Sequence, residues 1–256
     1  MTPRRVIGAM TALSALMVSA LVVSALMVSS VIATPLGAQG DSAQHGPVVT
    51  KRDLWWLAGA AGASALLINS DDRTTRAALT SSIQRGGVIR SSLDVAREFG
   101  GPGAIALSVG LWGAGKLTHK PALERIGVRA TEAIVVSGMA TSLLKGLSGR
   151  ARPDHSPGTP RDFAFARGIR ESEGYDSFPS GHASTAFALA SVLDAEWARY
   201  SPDRPRWIRP ALYAAAALTA ASRVFDNRHW ASDVVFGSTI GIIGGHAVVR
   251  WHADRP

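Results

Sequence analysis

From Leu54 onward the chain repeats one pattern, an uncharged apolar segment followed by a break of charge, glycine or proline. The segments run from Leu54 to Ser70, Phe99 to Gly115, Ala133 to Leu144, Ser177 to Leu193, Pro210 to Ser222 and Val234 to Val249, and none exceeds 17 residues. They are rich in Ala, Leu, Val and Ile and lack the period-two alternation of a half-buried strand. The pattern predicts an all-α domain with six helices near 54–69, 101–118, 122–147, 182–200, 208–224 and 230–250, and further amphipathic helix across 71–98. A bilayer crossing asks for about 20 predominantly apolar residues, so these segments are short as spans and comfortable as buried helices. With 46% hydrophobic residues in 256, the chain has enough apolar material for a single core.

The first forty residues form a separate object. Arg4 and Arg5 precede an uncharged, mostly apolar run from Val6 to Ala33, and the small-residue stretch Leu36, Gly37, Ala38 follows. A charged start, an apolar middle and a small-residue exit read as a signal peptide over residues 1–39, or as an N-terminal apolar anchor if uncleaved. The five-residue unit at Ser14–Val18 recurs at Ser19 and Ser24, as low-complexity drift within an apolar helix does. Residues 40–53 read as a polar linker and 54–256 as the domain. Mean hydropathy is +0.13 over the whole chain, but the leader holds most of the apolar excess. Without residues 6–33 the average falls to about −0.1, a value for a soluble or membrane-surface domain.

Charge and cysteine narrow the chemistry. Lys and Arg number 27 against 19 Asp and Glu, a formal +8 that favours anionic partners: nucleic acid, a membrane surface or phosphate-bearing small molecules. There is no cysteine, which excludes disulfides, thiolate zinc sites, iron–sulfur clusters and a cysteine nucleophile.

The stretch from Asp154 to Phe178, rich in Pro, Gly, Asp, Glu and Arg, interrupts the helical pattern. At 25 residues it is longer than most connections in compact domains. Three polar clusters lie at helix ends, two of them flanking this loop. Lys145, Arg150, Arg152 and Pro153 close one helix, where cations complement the macrodipole with or without a ligand. Pro179, Ser180, Gly181 and His182 open the next. Ser180 is a ready N-cap there, and the free N–H groups of such a start also suit an anion. Ser222, Arg223, His229 and Asp233 form the third. His229 and Asp233 are four residues apart and share a helical face, so the carboxylate can orient one imidazole nitrogen and leave the other as base or nucleophile. Each cluster alone is explained as well by capping or a surface ion pair as by function.

Together, in this order and spacing, Lys145–Pro153, Phe178–His182 and Ser222–Asp233 resemble the three-part signature of the type 2 phosphatidic acid phosphatase superfamily, which includes lipid phosphate phosphatases, bacterial class A acid phosphatases and vanadium haloperoxidases. The resemblance covers about 90 residues in detail and the six-helix layout more loosely. It implies that His229 is the nucleophile, forming a phosphohistidine, and that Asp233 orients it. It implies that His182 is the general acid for the departing alkoxide. Lys145, Arg152, Ser180, Gly181 and Arg223 would then bind phosphate. Fixed cations and N–H donors can stabilise the charge that develops on phosphoryl oxygens without a metal. The expected activity is metal-independent hydrolysis of phosphomonoesters or lipid (pyro)phosphates. No cofactor is expected, and vanadate should act as an inhibitor.

Two alternatives come from other classes: a vanadium-dependent haloperoxidase, with vanadate in the same cradle as cofactor, and a non-catalytic envelope protein that binds anionic lipid. The expected partners are a phosphate ester or lipid phosphate and a membrane surface, with no nucleic acid. Phosphatidic acid, polyprenyl pyrophosphate, phosphatidylglycerophosphate, a lipid A phosphate and a soluble ester all satisfy the motifs, while His155, Arg161, Arg167 and Arg170 of the loop are candidates for choosing among them. His45, His119, His246 and His252 read as surface or packing residues, and the tryptophans, including Trp55 and Trp56, fit either a core or a membrane interface. In membrane-embedded relatives the three motifs face away from the cytoplasm. An exported residue 41 followed by three crossings would put Lys145 on the wrong side, so the expected location is extracytoplasmic, in the periplasm or cell envelope. The domain is then soluble or membrane-associated, with an integral membrane protein as the alternative.

Overall fold

The structure, a computed structural model, describes residues 47–253 except 86, 156–158 and 172. The expected leader, and His45 with it, lie outside the described residues. Nine α-helices, a 3-10 turn at Ser82–Arg85 and no strand make up the described chain. Six helices are long: α1 (Lys51–Leu67), α4 (Pro102–Leu117), α5 (Pro121–Ser148), α7 (Gly181–Tyr200), α8 (Ile208–Phe225) and α9 (Ala231–Ala253). These are the six that hydropathy predicts. The amphipathic stretch 71–98 divides into α2 (Asp71–Thr80), the 3-10 turn and α3 (Val88–Glu98), and the long loop carries the single-turn α6 (Arg167–Arg170). Six is therefore the count of the long helices alone.

Helix α1 starts three residues before the first apolar segment because Thr50 and Asp53 form a capping box. The Thr50 hydroxyl accepts from the Asp53 amide at 3.2 Å, and the Asp53 carboxylate accepts from the Thr50 amide at 2.7 Å. The last residues of the polar linker are thus the first turn of the domain.

Helix directions follow from end-to-end contacts. Ser64, late in α1, donates to the Ser232 carbonyl at 3.0 Å, and Arg250, late in α9, donates to Asp53 at 2.6 Å. The two helices are antiparallel, and Lys51 lies at the end of the bundle remote from the α9 N-terminus. The C-terminal ends of α5 and α8, the N-terminal ends of α4, α7 and α9, and α2 gather at the other end.

Glycine makes the central contact. A Cβ added at Gly237 would lie 2.3 Å from the Ser180 carbonyl oxygen, and one at Gly241 2.2 Å from that of Ser184. Helix α9 therefore lies with its backbone against α7, closer than any side chain permits. Buried alanines of α7, including Ala183, Ala186 and Ala190, continue the small-residue interface toward α8, where Phe187 and Tyr213 pack together. This contact fixes the N-termini of α7 and α9 side by side, each carrying one of the sequence clusters.

Candidate active site

His229 lies in the turn before α9 and is 3% exposed. Its Nδ1 faces Asp233 Oδ2 at 3.6 Å, longer than a hydrogen bond, which leaves Nε2 as the nitrogen turned away from the carboxylate. Burial pushes the imidazole pKa down to about 3, and nearby Lys145 and Arg152 act in the same direction. His229 is therefore neutral at neutral pH, the form that carries a lone pair.

Asp233 is fully buried and saturated with donors. Its Oδ2 accepts from Ser177 Oγ at 2.6 Å and from the Trp230 amide at 2.9 Å, and Oδ1 accepts from Arg150. Burial alone would raise this carboxylate, but the Arg150 charge and the donors outweigh it and hold the pKa at about 2. Arg150 is itself 0% exposed. It also donates to Ser232 Oγ at 2.7 Å and Asp71 Oδ2 at 2.9 Å, and its Nε and Nη2 donate to the Pro160 carbonyl at 3.0 and 2.6 Å. Phe163 and Trp230 stack on the guanidinium, their ring centroids 4.8 and 5.6 Å away. Asp71, from the start of α2, completes the set by accepting from the Ser232 amide at 3.0 Å at the N-terminus of α9.

The remaining predicted residues surround His229. Ser180 caps α7, its hydroxyl accepting from the Ala183 amide at 3.5 Å, and its own amide donates to the Asp233 carbonyl at 3.0 Å. Gly181 begins α7, 3.7 Å from Lys145 Cε when its missing Cβ is placed. His182 follows, packed against Gly100 and Gly101. Burial, then the charges of Arg223, Lys145, Arg152 and Arg97, push its pKa down to about 4. Lys145 is lowered to about 8 by burial, against the opposing pull of Asp176, and stays largely protonated at neutrality. Arg152 donates both Nε and Nη2 to Asp176, at 2.7 and 2.8 Å, while Arg223 donates to Asp226 at 3.0 Å. All eight predicted site residues thus converge on one end of the bundle.

Of the loop candidates, only His155 lines the cavity of about 420 Å³ beside Arg152, together with Arg228, Asp154 and Asp176. Arg167 braces the loop, donating to the Gly149 carbonyl at 2.7 Å and lying over Tyr175. Arg161 bonds Asn69 and Arg170 reaches the Phe165 carbonyl, so both serve the loop rather than the cavity. His119 is exposed, His246 is half-buried, and His252 meets Glu132 at 2.6 Å, as expected of residues outside the site. Sequence reasoning passed over Asp71, Ser177, Asp176 and Asp226 and gave Arg150 no role. Arg150 had a signal, its place between Lys145 and Arg152. Asp226 had one too, its place three residues after Arg223, whereas Asp71 had none, because its partner Ser232 lies 161 residues away.

A helical bundle with a buried His–Asp pair, three cations and two helix N-termini at one end defines a class of anion-handling site. Residues 127–256 match the family model of the PAP2 superfamily, and the chain belongs to that superfamily. It is 41% identical over 92 residues to a lipid A 1-phosphatase of Porphyromonas gingivalis, a match over 36% of this chain and 20% of that protein. It is 35% identical over 116 residues to a lipid A 1-phosphatase of Rhizobium johnstonii, over 45% and 43% of the two chains. The chain thus spans less than half the length of these curated relatives. The crystal structure of a transmembrane PAP2-type phosphatidylglycerolphosphate phosphatase from Bacillus subtilis shares the fold. Its TM-score is 0.62 at 17% identity, over 81% of this chain and 98% of that one.

Proposed function

We propose that this chain is a metal-independent phosphatase of lipid phosphates that works through a phosphohistidine on His229. The observation that carries the reading is the buried, neutral His229 with Asp233 on one nitrogen and Lys145, Arg152 and Arg223 around it. His229 Nε2 attacks phosphorus, forming the P–N bond as the P–O bond to the leaving group breaks, and Asp233 stabilises the imidazolium character that develops at Nδ1. Lys145, Arg152, Arg223, Ser180 and the Gly181 amide bear the charge on the phosphoryl oxygens.

His182 supplies a proton to the departing alkoxide and takes one from the water that later cleaves the P–N bond. Its pKa of about 4 keeps it neutral at neutral pH. A bound phosphate dianion would raise that pKa, so substrate itself would load the acid.

A membrane location is supported by the surface. Trp55 and Trp207 are 78% and 67% exposed, and Trp112, Trp197 and Trp251 are also exposed. All five lie in the half of the bundle remote from the site, among the arginines of that end, as in an interfacial aromatic belt. One described helix, Ala231–Ala253, is long and apolar enough to cross a bilayer, and most of it is buried. Lys51 and Lys145 sit at opposite ends of the bundle. An exported residue 41 and an extracytoplasmic site are therefore compatible when the bundle lies on or partly in the membrane, which is the placement proposed here.

Replacing His229 by Ala should abolish phosphate release from a lipid phosphate in mixed micelles while the helical circular dichroism is unchanged. Vanadate should inhibit the unmodified enzyme and chelators should not. Turnover retained by the variant would refute the assignment.

A further inference from the structure

We infer that Asp176 is an internal competitor for the phosphate site, a carboxylate that holds the cradle cations when no phosphate is present and lowers the affinity for free phosphate. The inference rests on reading Lys145 and Arg152 as phosphate ligands. Arg152 grips Asp176 with two parallel bonds of 2.7 and 2.8 Å, the same fork that it would offer to two phosphate oxygens. Lys145 Nζ donates to the Asp176 carbonyl and lies 3.7 Å from its carboxylate. One residue thus engages two of the three cations of the first cluster, and it lines, with Arg152, the cavity of about 420 Å³.

Asp226 is a useful contrast. It also meets a cradle arginine, Arg223 at 3.0 Å, but it is shared with Arg90 at 2.8 Å and Arg97 at 3.7 Å. Removing Asp226 would leave several arginines facing one another, so it positions Arg223. Among the described residues every ion pair of Asp176, by contrast, is with a cation that phosphate itself would take. Phosphate entering the cradle must displace the carboxylate or sit beside it, and either costs affinity: the first because only the open fraction binds, the second through like-charge repulsion. A substrate with further contacts can meet that cost, whereas the free phosphate product cannot. Asp176 therefore promotes product release.

The test is calorimetric titration of the purified full chain in detergent with inorganic phosphate, and separately with orthovanadate, at neutral pH. Asp176→Asn and Asp176→Ala should bind phosphate tighter than wild type by about tenfold or more. Asp176→Glu, which keeps the charge, should not gain, and Asp226→Asn should weaken binding. Two substitutions at Asp176 guard against one that misfolds, with circular dichroism as the check. Phosphate affinity unchanged or reduced in the folded Asn or Ala variant would overturn the inference and make Asp176 a positioning residue. Tightened phosphate binding in a chain that turns over no lipid phosphate would instead uphold the inference and sink the phosphatase reading.

Discussion

Replacing Arg150 by Met tests the support of the site most directly. The two side chains are similar in length, so the change removes a charge and its donors while leaving most of the volume filled. The guanidinium is 0% exposed and pairs with two carboxylates, Asp71 and Asp233, that are equally buried. Removing one partner of a buried ion pair costs about 3–5 kcal/mol, because the other is left uncompensated. Here two carboxylates are stranded, and the Pro160 carbonyl loses both its donors from Arg150. The expected loss is therefore at the upper end, about 5 kcal/mol, relieved in part by proton uptake at Asp71, whose pKa burial already raises. For a domain of this size that corresponds to a fall in Tm of roughly 10–20 °C. Scanning fluorimetry at a fixed rate measures it. Adding Asp71→Asn should recover part of the stability, while phosphatase activity stays low because Asp233 is still without its cation. A fall of less than about 3 °C in the single variant would refute the reasoning.

Two further outcomes follow from packing and titration. Gly241→Ala should lose about 3 kcal/mol or more, since its Cβ would sit 2.2 Å from a main-chain oxygen of α7. Gly59→Ala in α1, where nothing lies within 4 Å, should be neutral or gain up to about 1 kcal/mol; equal denaturation midpoints for the two variants would contradict the close α7–α9 contact. Acid should destabilise the protein in two stages. His229 is held at about 3 against an ordinary 6.5, so the unfolded chain binds the extra proton first, and stability falls as pH drops from about 6.5 toward 3. Asp233 is held at about 2 against 3.8, so its contribution, about 2 kcal/mol, is complete above pH 4 and lost between about 4 and 2. Urea midpoints measured from pH 7.5 downward should show a shallower slope for His229→Asn than for wild type between pH 6.5 and 4; identical slopes would contradict a buried neutral histidine.

The six long helices were legible because each is built around an uncharged apolar segment and ended by residues with a local reason to end it. Gly149, for example, adopts φ +50 after α5, and Ser180 caps α7. The residues that touch phosphate in the proposed mechanism were legible for a similar reason, being concentrated in three short clusters at helix ends. What escaped is everything that depends on one helix end meeting another. Asp71 looks like an ordinary acid in the first turn of α2, and only the antiparallel packing of α1 on α9 brings it to Ser232 and Arg150. Arg150 likewise looks like one cation among three at the end of α5, yet Arg152 lines the cavity and Lys145 joins it on Asp176, while Arg150 turns into the protein. The division is physical: the outer two pair with the partly exposed Asp176, and the inner one with the fully buried Asp71 and Asp233. In the proposed mechanism the same helix end supplies two cations for the phosphate and a third for the carboxylate that orients His229. Substitutions at Arg152 should therefore appear mainly in phosphate affinity, and those at Arg150 in stability and in turnover together.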